Sequence, residues 1–555
     1  MSTRKKQVRS SAIWAAYGDA LGFMTELADV GRLEHRTGQR QVERTVKWRR
    51  KVGSRGGGFA VLPAGTYSDD TQLRLSTSRA IRADGSFDVA AFAKVELPAW
   101  LSYSLGAGVG SREAAYNLAR SSASWYANFF ENSRSSYFRG GGNGAAMRVQ
   151  PHVWAASNLS DRPSILRQVL RNAVCTHGHA RGILGACFHA LTLSEAMLTA
   201  MVPDPDALLR AIDQLSIIPE VVGEDKDLAM FWLGPWLERH QTDFGHAVKE
   251  VQDELRHDLA KLLEVSRGDP EASYNLGLAA VDAFSAASRG SGTKTALLAS
   301  YLAYLFRDTS PEAALVTASN VLGSDTDTIG TMAGAILGAC SDAPCDNELQ
   351  DRDYIVAEAD RLAAIAEGNS DGSFVYPDLR SWKPSRVAAD AIVRNDAGLF
   401  LNGIGRLDKA SDQATSDGTD FEVGWYRLEF GQTILARTRI EPSRKVGSHP
   451  TVSPRQERES AAALRTASRL PDLFGRGDVG PSRTMHTNDA PQPKPASLIH
   501  NQLEEVIVSG FDPELIGRYL LEQVRADAPD FIERTVALTS VIATAYHVRL
   551  RRRRS

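Results

Sequence analysis

The chain has few cysteines and almost no net charge, and both features limit the class of protein to which it can belong. Four cysteines in 555 residues form neither a Cys-x-x-Cys pair nor a dense framework, so reduced thiols are expected rather than disulfides. A net charge of −3 gives the whole molecule no strong attraction to nucleic acid or to anionic membranes. We therefore expect an ordinary globular protein with a cytoplasmic location.

Long apolar runs are also missing. The apolar stretch over residues 12–24 is interrupted by Asp19, which argues against a signal peptide. The apolar stretch over residues 535–548 is shorter than the ~20 residues that a membrane-spanning helix needs. The sequence therefore predicts neither a cleaved leader nor a membrane anchor.

Alternation of polar and apolar residues, the pattern of half-buried strands, is scarce before residue 370. Apolar residues recur there at steps of three and four, as in TKTALLASYLAYLFR, which is typical of helices with one buried face. This pattern predicts an all-α domain over residues 10–372. Later composition predicts a small β-containing appendage over 373–440, a flexible linker over 441–497 and a helical C-terminal module with an arginine-rich end over 498–555.

Two acidic pairs stand far apart in the sequence, each before a helix-compatible run. Asp69 and Asp70 lie in YSDDTQL, and Asp325 and Asp327 lie in GSDTDTIG. Both pairs are expected at helix N-termini, where free backbone N–H groups tolerate negative charge. Four carboxylates in one pocket repel one another strongly unless cations are bound between them.

The donor types around these acids indicate which cations would bind. Hydroxyl side chains stand beside the acids, with no histidine or cysteine nearby, and such hard oxygen donors favour magnesium, manganese or calcium. Two cations match four acids better than one. Each motif alone is also typical of a simple helix N-cap, so the prediction depends on the combination.

Five motifs in order resemble the signature of a known family. GDALG, YSDDTQL, GGNGAAMR, THGHARG and SDTDTIGTMAGAILGA follow the motif series of the ADP-ribosylglycohydrolases over about residues 10–370. The resemblance implies a compact orthogonal helical bundle of the ADP-ribosylglycohydrolase type, with two Mg²⁺ or Mn²⁺ ions in a central cleft. It does not extend to residues 380–555.

The resemblance also assigns metal ligands and catalytic acids, residue by residue. The implied metal ligands are Ser68, Asp69, Asp70, Asp325, Asp327 and Thr328. Ser68 replaces the family's usual threonine, but its hydroxyl can still bind a metal. The acids implied in proton transfer are Asp69, Asp70 and Glu26, whereas Asp19 is expected to bond to the loop backbone.

A second group of residues is implied in substrate binding. GGNGAAMR resembles the family's substrate loop, in which small residues let the backbone approach a phosphate or a ribose. Two roles are open for Arg148, a phosphate contact or an ion pair with an acid inside the core. The complete implied set is Gly142, Asn143, Gly144, Arg148, His177, His179, Gly323 and Ser324.

The implied reaction is hydrolysis of the ribose C1″ bond of an ADP-ribosylated substrate, with release of ADP-ribose. Such cleavage passes through an oxocarbenium-like state and is assisted by a carboxylate that transfers a proton. The implied partners are an ADP-ribosylated protein or small molecule and a cognate ADP-ribosyltransferase. The acceptor linkage is left open among arginine, serine, a nucleotide base and a small molecule.

Other functions compete with this one. The basic stretch KWRRKVGSR, residues 47–55, and the arginine-rich C-terminus allow a hydrolase of ADP-ribosyl nucleotides or ADP-ribosylated nucleic acid, or contact with a membrane. A solvated loop and a solubilising tail explain the same residues. A non-catalytic ADP-ribose-binding protein is the third possibility, and the survival of all four aspartates argues against it.

A stripe of glycines follows the second acidic pair. Gly330, Gly334 and Gly338 recur every four residues and so lie on one face of the predicted helix. A face without side chains lets a neighbouring helix approach closely. We expect that close packing to make the helix a rigid support for the acids at its start.

Overall fold

The computed structural model describes most of the chain up to residue 441 and parts of the C-terminus. The described residues are 2–52, 58–266, 268–369, 372–417, 420–441, 505–509, 511–525, 538, 539 and 542. The chain divides into two compact units between residues 469 and 470. The predicted linker falls, from residue 442 on, outside the described residues, as does the arginine-rich end.

The first unit is built mainly from helices, as the sequence predicts. Its α-helices are α1 Thr3–Thr25, α2 Val30–Thr37, α3 Asp69–Arg79, α4 Val89–Ala91, α5 Leu97–Trp100, α6 Val109–Leu118, α7 Gln150–Trp154, α8 Arg162–Val174, α9 Ala180–Thr199, α10 Pro205–Gln214, α11 Ile218–Glu224, α12 Leu233–His240, α13 Phe244–Val265, α14 Pro270–Ala280, α15 Gly292–Leu305, α16 Pro311–Asn320, α17 Thr326–Ala339 and α18 Arg352–Ala366. Short 3₁₀ turns lie at Ala146–Arg148, Leu215–Ile217 and Ala388–Asp390, and π turns at Phe92–Glu96 and Leu228–Trp232.

Helices α1 and α17 form the centre of this unit and run antiparallel at very short distance. A Cβ on Gly330, Gly334 or Gly338 would stand 2.7, 2.3 or 2.6 Å from a backbone carbonyl oxygen of α1. The contacted α1 residues run in reverse order, from Gly18 through Trp14 to Ser10. The predicted side-chain-free stripe is therefore a contact surface between two backbones.

Helices α9 and α15 pack beside this pair and complete the core. They cross where a Cβ on Gly185 would stand 2.2 Å from the carbonyl oxygen of Gly292. By length and composition α9 could span a membrane, but 83% of its most apolar window is buried inside the structure, as in a core helix. Cys187 lies in α9 and Cys175 is the C-cap of α8, and all four cysteines are free.

Two antiparallel sheets accompany the helices. The first pairs β1 Trp48–Lys51 with β2 Phe59–Leu62, inside the domain that the sequence predicts to be all-α. The second has the order β3–β4–β5–β6–β7, with strands Ile392–Asn395, Gly398–Leu401, Gly405–Ser416, Phe421–Leu428 and Thr433–Arg439. The all-α body with a small β-containing appendage is thus confirmed.

The five-stranded sheet is bonded into the helical body. Arg79 of α3 is fully buried, and its guanidinium donates to Glu96 at 2.7 Å and to Gln432, between β6 and β7, at 2.7 Å. The backbone N–H of Arg437 donates to the carbonyl of Ser102 at 2.9 Å. The appendage therefore belongs to the same compact unit as the helices.

The second unit contains helix α19, Pro513–Arg525. Val506, Phe511, Leu538 and Ile542 form a small apolar core in this unit. This agrees with the helical tail expected from the sequence, within the residues that are described.

Candidate active site

Four of the five motifs, YSDDTQL, GGNGAAMR, THGHARG and SDTDTIGTMAGAILGA, contribute residues to one cavity of about 330 Å³ in the first unit, and Glu26, which follows GDALG, lines it as well. Five carboxylates line it: Glu26, Asp69, Asp70, Asp325 and Asp327. Two acidic pairs separated by some 255 residues of sequence are thus brought together, as predicted. Of the other implied residues, Gly142, Asn143, Gly144, His177, Ser324 and Thr328 also line the cavity.

The first acidic pair lies at the N-terminus of α3. Ser68 is the N-cap, and its hydroxyl accepts a hydrogen bond from the backbone N–H of Asp70 at 3.2 Å. Asp19 of α1 accepts from the backbone N–H groups of Ser68 and Thr71 at 2.9 and 2.8 Å, which confirms its predicted role. The acidic turn is therefore fixed to α1 before any cation is considered.

The second acidic pair lies at the N-terminus of α17, where Asp325 is the N-cap. The amide of Asn143 donates to Asp325 Oδ2 at 2.6 Å and holds that carboxylate against the glycine-rich loop. The hydroxyl of Thr326 donates to the carbonyl of Gly22 at 2.8 Å, so the turn is tied to α1 as well. Both acidic turns are thus fixed to the same helix.

The negative charges of the buried acids are unfavourable in this cavity. Burial, reinforced by neighbouring carboxylates, raises the pKa of Asp69, Asp70 and Asp327 well above the usual range. Burial also raises the pKa of Asp325, which the bond from Asn143 partly offsets. Among the described residues, Asp70 Oδ2 is buried without a hydrogen-bond partner. Positive charge near these oxygens would relieve both costs.

Glu26 lies on the same wall as the first turn of α17, beside an arginine from the basic stretch. Burial raises the pKa of Glu26 to about 7, although Arg50 at 3.8 Å opposes the shift. The guanidinium of Arg50 also stacks over Phe23 at 4.3 Å, and Trp48 is buried. Trp48 and Arg50 therefore pack behind Glu26, whereas Lys47, Arg49 and Lys51 of the same stretch are exposed, and residues 53–55 lie outside the described residues.

The glycine-rich loop is bonded to the segment before α15. The backbone N–H of Gly292 donates to Gly141 at 2.6 Å, and that of Asn143 donates to Gly290 at 2.9 Å. A Cβ on Gly144 would stand 2.5 Å from Ser111 Oγ and 3.2 Å from the ring of His177. Glycine is needed there because Ser111 and His177 both approach the loop closely.

Of the two histidines implied in substrate binding, His177 alone lines the cavity. Its ring contacts the hydroxyl of Thr176 at 2.7 Å, and burial lowers its pKa to about 3, so it is neutral at physiological pH. His179 instead caps α9, accepting from the backbone N–H of Arg181 at 3.2 Å, and faces a second cavity with Trp236 and His240. The substrate role predicted for His179 is corrected, since its ring is committed to the cap on the other side of the loop.

Arg148 lies behind the loop and not in the cavity. It is fully buried, and its guanidinium donates to Asn172, to Thr176 and to the carbonyl of Gly144 at distances of 2.8 to 3.0 Å. The phosphate role is therefore corrected in favour of the core alternative, with neutral oxygens and not an acid as partners. By donating to the carbonyl of Gly144, Arg148 supports the glycine-rich loop from behind.

Two further implied residues do not line the cavity directly. Ser68 acts as the cap described above, and Gly323 turns the chain before the second acidic pair with a φ of +92°. That φ lies in the left-handed region that glycine adopts readily. Both residues position acids that do line the cavity.

Several lining residues were missed at the level of sequence. They include Leu27, Gly106, Val109, Ser111, Phe130, Arg139, Arg289 and Gly290. A signal was present for two of the segments, because LGAGVGS at 105–111 and RGSG at 289–292 are glycine-rich breaks between helical patterns. Nothing comparable marks Leu27, which has a φ of +52° and is half-exposed at the cavity mouth.

The donor set fits hard divalent cations. Within the described part of the chain, no three His, Cys, Asp or Glu side chains already surround a single point as a finished cluster. The cavity does contain five carboxylates, a threonine hydroxyl and the unpartnered Asp70 Oδ2. Carboxylate, hydroxyl and water oxygens are the ligands that magnesium and manganese favour.

Comparison with known proteins is consistent with these features. The family model described as ADP-ribosylglycohydrolase matches residues 1–371. The ADP-ribosyl-[dinitrogen reductase] glycohydrolase of Rhodospirillum rubrum is 31% identical over 166 residues, which are 30% of this chain and 49% of that relative, so the match spans about half of its length. A solved chain from an "ADP-ribosylglycohydrolase-related protein complex" is 21% identical with a TM-score of 0.39, over 66% of this chain and 100% of that one.

Proposed function

The chain belongs to the ADP-ribosylglycohydrolase family, and from this premise we propose that it hydrolyses the ribose C1″ bond of ADP-ribosylated substrates and releases ADP-ribose. The observation that carries the proposal is the meeting of both acidic turns and the glycine-rich loop around one cavity. The reaction breaks the bond between C1″ and the acceptor atom. Water adds to C1″, and the acceptor leaves with a proton.

We propose two Mg²⁺ or Mn²⁺ ions as cofactors. Asp69, Asp70, Asp325, Asp327 and Thr328 line the cavity and would hold them. Ser68, the cap of α3 directly before Asp69, is proposed as a further ligand through its hydroxyl. When bound, such cations supply Lewis-acid chemistry and make a water molecule more acidic. The buried, mutually repelling carboxylates and the unpartnered Asp70 Oδ2 support this assignment.

Glu26 is the group that we propose for proton transfer. It lines the cavity but is not among the proposed ligands, whereas Asp69 and Asp70 are. Burial raises its pKa to about 7, so a useful share of both protonation states exists at neutral pH. Arg50 at 3.8 Å holds the carboxylate against this wall of the cavity.

The remaining residues orient the substrate and the acids. Asn143 fixes Asp325 at 2.6 Å and Asp19 fixes the turn of Asp69, so neither acid has to reorganise during the reaction. Neutral His177 and the small residues of the loop leave room for a sugar and its phosphates. The relative from Rhodospirillum rubrum is named for an ADP-ribosylated protein substrate, and we propose the same class here, with a cognate ADP-ribosyltransferase as its source.

Substitution of one acid from each turn tests the proposal. Asp69→Ala and Asp325→Ala should each reduce release of ADP-ribose from conjugates by at least ~10³-fold, the scale seen when groups that act on the reacting atoms are removed. Asp308→Ala is a matched control, because that carboxylate is 85% exposed and, among the described residues, forms an ion pair with Arg307 alone. Release is measured by chromatography against arginine-, serine- and nucleotide-linked conjugates, and melting curves check that each variant is folded. Full activity of both variants at saturating Mg²⁺ would contradict the proposal.

A further inference from the structure

The cavity presents an electrostatic problem for the proposed substrate. ADP-ribose carries a diphosphate, and the cavity is lined by five carboxylates. His177 does not help, because burial lowers its pKa to about 3 and leaves it uncharged at neutral pH. An anionic ligand needs a cationic group at the phosphates in addition to any charge at the acids.

Among the described residues, two arginines line the cavity, Arg139 and Arg289, and they differ in how far their charge is already paired with a carboxylate. Arg139 is 75% exposed and donates to Glu131 at 3.0 Å. Arg289 is partly buried, and within the described part of the chain it has no carboxylate oxygen within 4 Å. Its one side-chain bond is a long one, from Nη1 to the carbonyl of Gly323 at 3.4 Å. Most of the five donors of Arg289 therefore remain available to a ligand.

The backbone around Arg289 is held against the glycine-rich loop. Arg289 lies in the connection between α14 and α15, and its own N–H donates to the carbonyl of Ser285 at 2.8 Å. The next residue, Gly290, accepts from the backbone N–H of Asn143 at 2.9 Å, and Ser291 forms a β-bridge with Gly142. The guanidinium thus starts from a fixed base opposite the loop, and a phosphate between them would be contacted from both sides.

We propose that Arg289 is a specificity-determining residue that binds the diphosphate of the substrate opposite the Gly142–Gly144 loop. This inference rests on the proposed function, since it assigns a role in binding ADP-ribose. A guanidinium suits that role because it offers parallel N–H donors to two phosphate oxygens, which an ammonium group does not. Arg148, which the sequence offers for a phosphate contact, has its donors occupied in the core.

A purely structural or counter-charge role is the rival explanation. Burial raises the pKa of Asp325, and the positive charge of Arg289 nearby partly offsets that rise. If this were its whole contribution, its removal would change the binding of cations and not the discrimination between ligands with and without phosphates.

Calorimetry on the full chain separates these roles. ADP-ribose, adenosine and Mn²⁺ are titrated into the wild type and into Arg289→Gln, Arg289→Lys and Arg139→Gln. We expect Arg289→Gln to bind ADP-ribose ~10- to 100-fold more weakly, the usual size of a charge-assisted contact. Its affinities for adenosine and Mn²⁺ should change less than ~3-fold, Arg289→Lys should lie between it and the wild type, and Arg139→Gln should lose less than Arg289→Gln.

Each outcome supports or overturns a specific claim. The role of Arg289 is refuted, while the proposed function stands, if Arg289→Gln binds ADP-ribose as tightly as the wild type. The same holds if its affinities for Mn²⁺ and adenosine fall by as large a factor as its affinity for ADP-ribose. If the wild type binds ADP-ribose but hydrolyses no conjugate, the proposed function fails and the role of Arg289 is still decided by the titrations. If the wild type does not bind ADP-ribose at all, both proposals are wrong. A weaker salt dependence of ADP-ribose binding in Arg289→Gln than in the wild type would further support a phosphate contact.

Discussion

The contact between α1 and α17 leads to a prediction about how the acids are positioned. A Cβ placed on Gly330 would stand 2.7 Å from the carbonyl oxygen of Gly18, and one on Gly338 would stand 2.6 Å from that of Ser10. The two overlaps are almost equal, but Gly330 follows Thr328 by two residues and Gly338 follows it by ten. At about 1.5 Å per residue, the two glycines are about 12 Å apart along the helix. Alanine substitutions at these two glycines therefore form a matched pair: the overlap with α1 is nearly the same in both, but the distance from the acids differs.

The size of the effect follows from the distances. Real Cβ atoms essentially never come closer than 3.0 Å to another atom, and ordinary contacts begin at 3.4 Å, so either alanine must push the helices apart by about 0.3 to 0.8 Å. Overpacking of this kind costs about 1–3 kcal/mol in the free energy of unfolding. Gly223→Ala is the control, because a Cβ on Gly223 of α11 would meet nothing within 4 Å. The gain in helix propensity, about 1 kcal/mol, is common to all three variants and cancels in the comparison.

The two alanines should differ in their effect on cation binding. Gly330→Ala shifts the first turn of α17 against α1, and we expect it to weaken Mn²⁺ binding about 10- to 100-fold, the usual effect of disturbing the supports of ligands. Gly338→Ala should cost a similar amount of stability but weaken Mn²⁺ binding less than ~3-fold. Urea unfolding gives the stabilities and calorimetry gives the affinities. Equal weakening in both variants would mean general loosening, and no weakening in Gly330→Ala would refute the idea that this contact positions the acids.

Two further predictions concern single side chains. Glu26→Gln keeps the shape of the side chain and should lower kcat for ADP-ribose release about 10²- to 10⁴-fold, as expected for loss of a general acid or base. Steady-state kinetics checks this, and a kcat within 10-fold of the wild type would exclude Glu26 from proton transfer. His189 of α9 is buried, and burial lowers its pKa to about 3 from the ordinary 6.5. Below pH 6.5 the unfolded chain therefore binds a proton that the native state does not. The free energy of unfolding then decreases as the pH falls, by about 2 kcal/mol at pH 5. His189→Gln should therefore lose less in Tm between pH 7.5 and pH 5 than the wild type, and an unchanged difference in Tm would contradict this assignment.

The acids and the glycine stripe could be predicted from the sequence because residue type and spacing nearly determine them. Adjacent acids before a helical run belong at a helix N-terminus, and Asp69 and Asp325 lie there. Glycines at every fourth position belong on a close helix contact, and Gly334 does lie against the backbone of Trp14 in α1. Only the fold, however, shows that α1 is the helix that makes this contact. The motif series supplied the remaining information, since it indicated which distant segments share a cavity.

Side chains with more than one possible partner could not be placed in the same way. Arg148 bonds to Asn172, a residue of α8 that no spacing rule connects to the glycine-rich loop. His177 and His179 are two residues apart, and the turn between them sends their rings into different cavities. Arg289 lies outside the family motifs, and its proposed role depends on how far the fold places carboxylates from its guanidinium. In each case the residue type defines what the side chain can bind, and the tertiary structure decides which partner it meets.

The five-stranded sheet shows how a segment outside the family match is connected to the site. The match ends at residue 371 and the sheet begins at Ile392. The hydroxyl of Tyr67, which directly precedes Ser68, donates to Asp351 Oδ2 at 2.7 Å, and the same oxygen accepts from the backbone N–H of Thr433 in β7 at 2.7 Å. One carboxylate thus bonds both to the residue before the first acidic turn and to a strand of the sheet. Because a buried carboxylate that loses a partner is costly, displacement of β7 would be felt at Tyr67, and the sheet is better understood as a support of the site than as a separate module.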